Sequence, residues 1–274
     1  MTGPTRLGVR RLLEAHGLRP DTDLGQHFLL DENLVDLSLR AVEVGAQDVV
    51  LEIGAGPGVL TTALARAARH VHAVEIDRRL GPVLAEALDR HDNVTVYWAD
   101  AMRLALEELT PAPTVLVANL PYSIATPIVL ESMWRLPTLR AWCVMVQREV
   151  GDRWLAAPAS ALYGAPSVVV QLVAEATLRR PVGREVFMPR PRVDSALIAL
   201  RRIAEAPDAA TRAFIRAGFA QRRKTLSNAL VSAGADRAMV AEGLAVLGLS
   251  PTVRAQDLSP AQFLELRERV PWTS

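Results

Sequence analysis

The sequence predicts an α/β fold with a mostly parallel β-sheet and helices on both faces, followed by a small C-terminal all-helical domain. Between about residues 48 and 147, apolar runs of strand length alternate with segments of helical periodicity, and this alternation is typical of a parallel sheet. Beyond an alanine-rich segment at 204–210, the periodicity is helical. With 274 residues, 50% of them hydrophobic, the chain is long enough to build two cores.

The predicted elements follow one another in a regular order. The strands are predicted at residues 49–53, 71–74, 94–98, 115–118, 141–146 and 168–173, with a further strand at 195–200 near the sheet edge. Helices are predicted at 59–69 and 78–89 within the sheet region, and at 211–219, 223–232, 237–247 and 260–269 after it. Because Pro207 and several alanines interrupt the pattern, the domain boundary is placed between residues 203 and 204.

Charge and cysteine content narrow the function classes. The net charge is only +1, but residues 179–224 contain twelve basic and four acidic residues, a cationic stretch that a nucleic-acid backbone can match. Cys143 is the only cysteine, which excludes an intramolecular disulfide framework and a multi-cysteine metal site. No metal is expected. The N-terminal arginines precede no apolar signal segment, so we expect a cytoplasmic protein without a membrane span.

A glycine-rich turn follows the first strand of the predicted sheet. In LEIGAGPGVL, Gly54, Gly56 and Gly58 are spaced G-x-G-x-G, and the third glycine comes one residue earlier than in a dinucleotide-binding loop. This spacing favours a nucleoside-type ligand. Glu75 and Asp100 follow the next two strands, so both carboxylates are expected in one crevice beyond the strand ends. The first can accept ribose hydroxyls and the second an adenine amino group.

The fourth strand of the sheet region ends in the tetrapeptide Asn119-Leu120-Pro121-Tyr122. The Asn119 side-chain oxygen and the Leu120 carbonyl are acceptors that can hold the N–H groups of an exocyclic amine. Pro121 fixes its own φ and keeps the residue before it extended, which aims that carbonyl into the crevice. Tyr122 offers a face for stacking an extruded base. The tetrapeptide therefore predicts a site for the amino group of a base.

Seven segments in chain order resemble one family, the ribosomal RNA adenine dimethyltransferases. They are LGQHFLLD (24–31), LEIGAGPGVLT (51–61), ANLPYSIATP (118–127), VQREV (146–150), YGAPSV (163–168), FMPRPRVDSA (187–196) and QRRKTLSNAL (221–230). Within that family, the chain most resembles the bacterial small-subunit branch, whose loss gives kasugamycin resistance. The resemblance implies a Rossmann-like class I methyltransferase domain (1–203) with a seven-stranded, mostly parallel sheet, and a helical RNA-binding domain (204–274).

The resemblance also implies an activity and partners. S-adenosylmethionine would be the methyl donor and S-adenosylhomocysteine the product. The substrate would be the N6 atoms of two adjacent adenosines in the 3′-terminal hairpin of small-subunit (16S) rRNA, methylated on the immature subunit during ribosome biogenesis. We expect the protein to act as a monomer.

Site residues can be assigned by motif from the same resemblance. The implied donor contacts are His27, Leu29, Gly54, Gly56, Glu75, Asp100, Ala101 and Asn119. The implied contacts to the target adenine are Asn119, Leu120, Pro121, Tyr122 and Phe187. One departure is notable, because the family usually has asparagine at the position of His27, and a histidine there can make the donor contact pH-sensitive. Without the resemblance, His27 is interpreted as a structural residue and Phe187 as a core anchor.

Five basic residues are the candidate RNA contacts: Arg190, Arg192, Arg222, Arg223 and Lys224. The last three are expected on a helix, where a charge run can also be a solvated face. Together with the arginines before them, they are predicted to follow a phosphate backbone.

Three other functions share parts of this pattern. A large-subunit (23S) rRNA adenine methyltransferase of the macrolide-resistance type resembles the first domain, but typically carries isoleucine in the tetrapeptide. A DNA adenine methyltransferase is more distant. A non-catalytic ribosome-assembly or transcription factor on the same fold would not require the intact Asn119-Leu120-Pro121-Tyr122 tetrapeptide and strand-end acids.

Overall fold

The computed structural model describes residues 6–272, and over this range the chain forms nine β-strands and eleven α-helices. The strands are β1 (Phe28–Leu29), β2 (Val49–Ile53), β3 (His70–Glu75), β4 (Val94–Trp98), β5 (Val115–Asn119), β6 (Ala141–Gln147), β7 (Ala174–Val182), β8 (Phe187–Met188) and β9 (Ser195–Arg202). The helices are α1 (Arg6–Ala15), α2 (Glu32–Ala41), α3 (Val59–Ala67), α4 (Gly81–Ala87), α5 (Ala125–Arg135), α6 (Arg148–Trp154), α7 (Ala165–Val173), α8 (Ala209–Phe219), α9 (Leu226–Ser232), α10 (Arg237–Val246) and α11 (Pro260–Arg269). None of these helices combines the length and apolar character that a membrane span requires.

Seven strands form one sheet in the order β4-β3-β2-β5-β6-β9-β7. The pairs from β4 to β6 are parallel, and β9 runs antiparallel to β6. A separate two-stranded sheet pairs β1 with β8. The seven-stranded, mostly parallel sheet of a Rossmann-like fold is thus confirmed, as is a helical C-terminal region.

The central strands are buried on both faces, which explains their uninterrupted apolar sequences. All five residues of β2 are buried, as are six of the seven in β6. Strands covered by helices on both sides lack the two-residue alternation of a half-exposed strand. The predicted strands at 49–53 and 94–98 coincide with β2 and β4, and those at 71–74, 115–118 and 141–146 lie within β3, β5 and β6.

The strand predicted at residues 168–173 is wrong, because this segment lies in the helix α7. Its run of valines favours a strand by propensity, and a short apolar run does not by itself distinguish the two structures. The sequence nevertheless contained a signal for a helix N-terminus, because proline is common in the first turn of a helix and Pro166 lies in the first turn of α7. The strand that completes the sheet is β7, which begins directly afterwards at Ala174.

Two helix predictions need corrected bounds. The helix predicted at 223–232 begins at Leu226, because Thr225 is its N-cap and accepts a hydrogen bond from the Asn228 amide. Arg222, Arg223 and Lys224 therefore lie in the preceding turn and not on a helix. The helix predicted at 78–89 is a 3₁₀ turn at Arg78–Leu80 followed by α4.

The described residues divide into two compact units. The first consists of Met1–Gly151 with Ala176–Arg202, and the second of Asp152–Glu175 with Ile203–Ser274, within the described range. The sequence placed residues 152–175 in the first domain. Here they belong with the C-terminal helices, because the buried Tyr163 hydroxyl donates to the Leu258 carbonyl and the Tyr163 ring meets Phe219 edge-on. The functional assignment of residues 1–203 and 204–274 stays a prediction.

A buried histidine lies at the amino-terminal end of β3. His72 has no exposed surface, and its ring nitrogens hydrogen-bond the Pro111 carbonyl at 2.8 Å and the Tyr97 hydroxyl at 3.1 Å. Burial lowers the pKa of His72 because it disfavours the imidazolium, and nearby His70 acts in the same direction against the bond to Pro111. The folded protein therefore binds fewer protons here than the unfolded chain does just below the ordinary histidine pKa of about 6.5.

This pKa shift predicts a loss of stability as the pH falls below about 6.5. In His72→Gln, the free energy of unfolding should depend less on pH between 5 and 7, by at most about 1.4 kcal/mol per pH unit. Urea denaturation across this range measures the slope, with His91→Gln as the control. Glu52 and Glu75 have raised pKa values, which make the free energy of unfolding fall as the pH rises. This opposite contribution is the same in the parent and in His72→Gln. Identical slopes in the parent and His72→Gln would contradict the prediction.

Candidate active site

A cavity of about 240 Å³ lies at the carboxyl ends of the parallel strands, within the first compact unit. This is the edge of an open α/β sheet at which ligands bind. Its wall contains the predicted site residues His27, Gly54, Gly56, Glu75, Asp100, Ala101, Asn119, Leu120, Pro121 and Tyr122. The structure thus brings together ten residues drawn from five separate stretches of the chain. Leu29 and Phe187 are not on this wall.

The glycine turn after β2 has a backbone that only glycine adopts easily. Gly54 and Gly56 have φ values of 81° and 56°, in the left-handed region that penalises a Cβ atom. A Cβ at Gly56 would also lie 3.0 Å from the Phe28 ring. The turn therefore leaves its backbone bare on the cavity wall, as close approach of a ligand requires.

Glu75 is the last residue of β3, and backbone amides hold its carboxylate in place. One oxygen accepts the Gly56 amide and the other the Asp77 amide, each at 2.8 Å. The side chain is 5% exposed, and burial raises its pKa against the opposing effect of these hydrogen bonds. Each carboxylate oxygen has a second lone pair, so Glu75 can still accept two hydroxyl groups from a ligand.

A second acid lies deeper, under the glycine turn. Glu52 is 1% exposed, and neither of its carboxyl oxygens has a hydrogen-bond partner within 3.5 Å among the described residues. Burial raises the pKa of Glu52 to about 8 against the opposing effect of the nearby Thr61 hydroxyl, which also makes no hydrogen bond within 3.5 Å among the described residues, and the carboxylate of Glu75 adds to the shift. Glu52 is therefore mostly protonated at neutral pH, which avoids two adjacent buried charges below the cavity.

The third strand-end acid is more open than the other two. Asp100 accepts the Met102 amide at 2.9 Å, and its side chain is 38% exposed. Ala101 beside it is buried. Ile76, directly after Glu75, lies on the same cavity wall with 54% of its surface exposed. An exposed apolar side chain on a wall that also carries two carboxylates suits a flat nucleoside base. Sequence reasoning missed Ile76, although its signal was an apolar residue directly after a strand-end acid.

Asn119 is oriented by a hydrogen bond to the other side of the cavity. Its amide nitrogen donates to the carbonyl of His27 at 2.7 Å, and this leaves the side-chain oxygen as the available acceptor. The Leu120 amide donates to the Met145 carbonyl at 3.2 Å. Within residues 6–272, we find no hydrogen bond to the carbonyl oxygen of Leu120. Two acceptors on consecutive residues are thus available at the end of β5.

Tyr122 forms the aromatic part of the site together with His27. The two rings stack with centroids 5.8 Å apart, and the Tyr122 hydroxyl lies 2.7 Å from the Ser195 hydroxyl. Partial burial raises the pKa of Tyr122. His27 Nδ1 lies 2.9 Å from the Pro189 carbonyl, and because a carbonyl only accepts, Nδ1 carries the proton and Nε2 is the acceptor of the neutral ring.

Leu29 and Phe187 lie opposite each other in the two-stranded sheet of β1 and β8. Leu29 is 6% exposed, and Phe187 has no exposed surface. In this structure, the Phe187 ring is therefore packed in the core, as its interpretation from the residues alone expected, and is not open to the target-base contact that the resemblance implied. Its contact with a target base stays a prediction, and it requires the ring to become exposed.

The candidate RNA contacts differ in whether their side chains hydrogen-bond their own chain. Arg190 and Arg192 in the first unit are exposed, as are Arg223 and Lys224 in the second. Arg222 is also exposed, but its guanidinium donates to the carbonyls of Ala161 and Tyr163, at 3.0 and 3.2 Å.

Arg202, which the sequence included in the phosphate-binding stretch, makes its hydrogen bonds within the protein. Its guanidinium donates to the carbonyls of Met133, Leu136 and Leu139 and lies 4.9 Å from the centre of the Trp142 ring. The apparent basic surface therefore includes arginines that bind their own chain.

The chain is similar to known proteins over nearly its whole length. The family model described as "Ribosomal RNA adenine dimethylase" matches residues 17–270. The chain is 43% identical to "Ribosomal RNA small subunit methyltransferase A" of Thermobifida fusca (strain YX), over 97% of this chain and 96% of that protein. It is 42% identical to the protein of the same name from Streptomyces coelicolor (strain ATCC BAA-471 / A3(2) / M145), over 95% and 94% of the two chains.

Two solved structures are similar over most of the chain. A dimethyladenosine transferase from Plasmodium falciparum superposes with a TM-score of 0.73 at 25% identity, covering 88% of this chain and 96% of that one. The 23S rRNA methyltransferase ErmE gives a TM-score of 0.67 at 30% identity, with 88% and 98% covered. Since the family model spans nearly the whole described range, this chain belongs to the ribosomal RNA adenine dimethylase family and is a methyltransferase that uses S-adenosylmethionine.

Proposed function

We propose that this protein transfers methyl groups from S-adenosylmethionine to N6 of two adjacent adenosines in the 3′-terminal hairpin of small-subunit (16S) rRNA during ribosome biogenesis. The observation that carries the proposal is the orientation of Asn119 on the cavity wall, where its amide nitrogen is bound to the His27 carbonyl and its side-chain oxygen is left as an acceptor. Relatives at 42–43% identity are named small-subunit methyltransferases, which supports the choice of ribosomal subunit.

The cavity residues fit the donor in three respects. Glu75 presents carboxylate lone pairs for ribose hydroxyls, Ile76 and Asp100 flank a position for adenine, and the bare backbone at Gly54 and Gly56 permits close approach. When bound, the donor supplies a methyl group activated by its positive sulfur. We propose S-adenosylhomocysteine as the product and no metal requirement.

The protein's own contribution is to position the target amine. An adenine amino group is a weak nucleophile because its lone pair is delocalised into the ring. Acceptors on Asn119 and Leu120 hold its N–H groups and favour the geometry in which the lone pair points away from the ring plane. Tyr122 stacks on the extruded base. A strong base is not needed, since the proton can leave to water after the methyl group has been transferred.

The second candidate is the large-subunit target, because ErmE is a 23S rRNA methyltransferase with 30% identity to this chain. The relatives with higher identity carry the small-subunit name, and position 120 is leucine rather than isoleucine. Methyl incorporation into purified, unmethylated small and large subunits separates the two targets. A monomeric state and a cytoplasmic location stay predictions, which light scattering and cell fractionation can check.

Replacing Glu75 by alanine should weaken donor binding and leave RNA binding nearly unchanged. The substitution removes an acceptor for two hydroxyl groups in a partly desolvated site, and the expected loss is about 1 to 3 kcal/mol. Calorimetry with S-adenosylmethionine measures it, with Glu86→Ala as an exposed control. An unchanged donor affinity in a folded Glu75→Ala protein would remove Glu75 from the donor site.

Replacing Asn119 by alanine should slow methyl transfer by roughly a hundredfold to a thousandfold, by analogy with loss of one oxyanion-hole donor, and should weaken donor binding far less, through loss of the bond to the His27 carbonyl. Its oxygen matters most when the target nitrogen loses planarity, so most of the loss should appear in turnover and not in binding. Single-turnover transfer of labelled methyl groups to unmethylated small subunits measures the rate. Asn33→Ala, on the exposed first turn of α2, is the control. Parental rates in the Asn119 variant would refute the mechanism, and a non-catalytic assembly factor would show no transfer in any of the three proteins.

The turn before α9 should contribute electrostatically to RNA binding. In Arg223→Ala/Lys224→Ala, affinity for the small subunit should fall, and the slope of log K against log salt should decrease in magnitude by about 1 to 2. Arg237→Ala/Arg269→Ala removes the same charge from exposed positions of the same unit and should change the slope less. Arg222→Ala should instead lower the melting temperature, because Arg222 holds the 161–163 loop. Equal slopes in both double variants would identify the turn as a solvated face.

A further inference from the structure

One wall of the donor cavity is a loop from the N-terminal part of the chain. This wall consists of Asp23, Leu24, Gly25, Gln26, His27 and Phe28. Inside the loop, all hydrogen bonds are short-range: the Gly25 amide donates to the Thr22 carbonyl and the Gln26 amide to the Asp21 carbonyl, each at 3.1 Å. The amides of Asp21 and Asp23 donate to the side chains of Gln26 and Asp21, at 2.7 and 3.0 Å. The position of residues 21–27, hereafter the wall segment, therefore depends on contacts with other elements.

The two ends of the wall segment are held by different groups. At its carboxyl end, His27 is bound through its carbonyl to Asn119 and through its ring to Pro189. At its amino end, Asp21 forms an ion pair with Arg79 at 3.0 Å. Arg79 follows β3, is about half exposed and is not part of the cavity wall. A residue outside the cavity thus holds one end of the wall.

Asp77 links this ion pair to the donor site. Arg79 binds it with two nitrogens, Nε to Oδ1 and Nη2 to Oδ2, both at 2.8 Å. The Gln26 side chain donates to the same Oδ2 at 2.8 Å and accepts the Asp21 amide at 2.7 Å. Asp77 is 7% exposed, and its own amide donates to Glu75. The Arg79 guanidinium is the main reason that the pKa of Asp77 is lowered, so the network keeps its charge at neutral pH.

We propose that Arg79, Asp77 and Gln26 are positioning residues that hold the wall segment closed against the methyl donor, and so set the rate at which donor and product leave. A ligand behind a loop leaves when the loop opens, and contacts that are lost on opening slow this step. Arg79 acts through Asp21 and Asp77, not by touching the ligand. The inference rests on the proposed function only in taking S-adenosylmethionine and S-adenosylhomocysteine as ligands of this cavity.

The test measures the dissociation rate of labelled S-adenosylhomocysteine after an excess of unlabelled ligand is added. Arg79→Ala should raise this rate roughly threefold to tenfold, as expected for loss of a small charge network, while the association rate changes less. Arg79→Lys should be intermediate, because an ammonium group can pair with one carboxylate but cannot form the two-nitrogen contact. Arg90→Ala removes an equally charged, exposed residue and should match the parent.

A double variant tests whether Arg79 acts through the wall segment. Asp21→Asn should raise the dissociation rate as well, and Asp21→Asn/Arg79→Ala should dissociate no faster than Arg79→Ala alone, because both changes break one linkage. If the increases in dissociation rate from the two single changes multiply in the double variant, Asp21 and Arg79 act independently and the linkage is overturned. A lowered melting temperature with a parental dissociation rate in Arg79→Ala would overturn the proposal and leave the proposed function intact. Failure of the parent to bind S-adenosylhomocysteine would overturn both.

Discussion

The hydrogen bond from the Asn119 amide to the His27 carbonyl is the contact on which the geometry of this active site depends. It joins residues that are 92 positions apart in the sequence, and it has two consequences at once. It uses the donor end of the amide, so that the oxygen end is left for a substrate N–H. It also fixes the carboxyl end of the wall segment, whose histidine ring stacks on Tyr122. Under the proposed function, the donor wall and the target pocket are therefore positioned by the same bond.

The parallel sheet supplies the frame in which this bond can form. In β2 and β3, Ile53 pairs with Val74, so that the glycine turn and Glu75 leave the sheet at the same level. The end of β5 pairs with β6 through Asn119 and Met145. Strand ends aligned in this way place backbone donors and side-chain acceptors on one rim. The chemistry then requires few further elements, since positioning is the protein's main contribution to methyl transfer.

The sequence predicted the sheet and most of the cavity wall because both depend on local patterns. The apolar runs predicted the bounds of β2 and β4. Their position at strand ends predicted that Glu75, Asp100 and Asn119 would line the cavity. The valine run in α7 failed as a strand because propensity is weaker than the packing of the surrounding unit. The burial of Phe187 agrees with its interpretation as a core anchor from the residues alone, whereas the family motif implied a contact with the target base.

Long-range side-chain contacts were also beyond sequence reasoning. Gln26 meets Asp77 across 51 positions, and Arg222 meets the Ala161 carbonyl across 61. In the second case, a side chain that the sequence predicted as an RNA contact also binds its own chain, whereas the sequence predicted no role for Gln26.

Two buried acids near the ligand show how the site balances stability against binding. Glu75 keeps its carboxylate tied to backbone amides, whereas Glu52 below it has no such partner and its pKa is raised to about 8. Two ionised carboxylates in this position would repel each other in a poorly solvated environment. A protonated Glu52 removes that repulsion, so that the negative charge remains on the acid that faces the cavity. On the cavity wall itself, the buried carboxylate is then that of Glu75, and one of its oxygens is held by the Gly56 amide of the glycine turn.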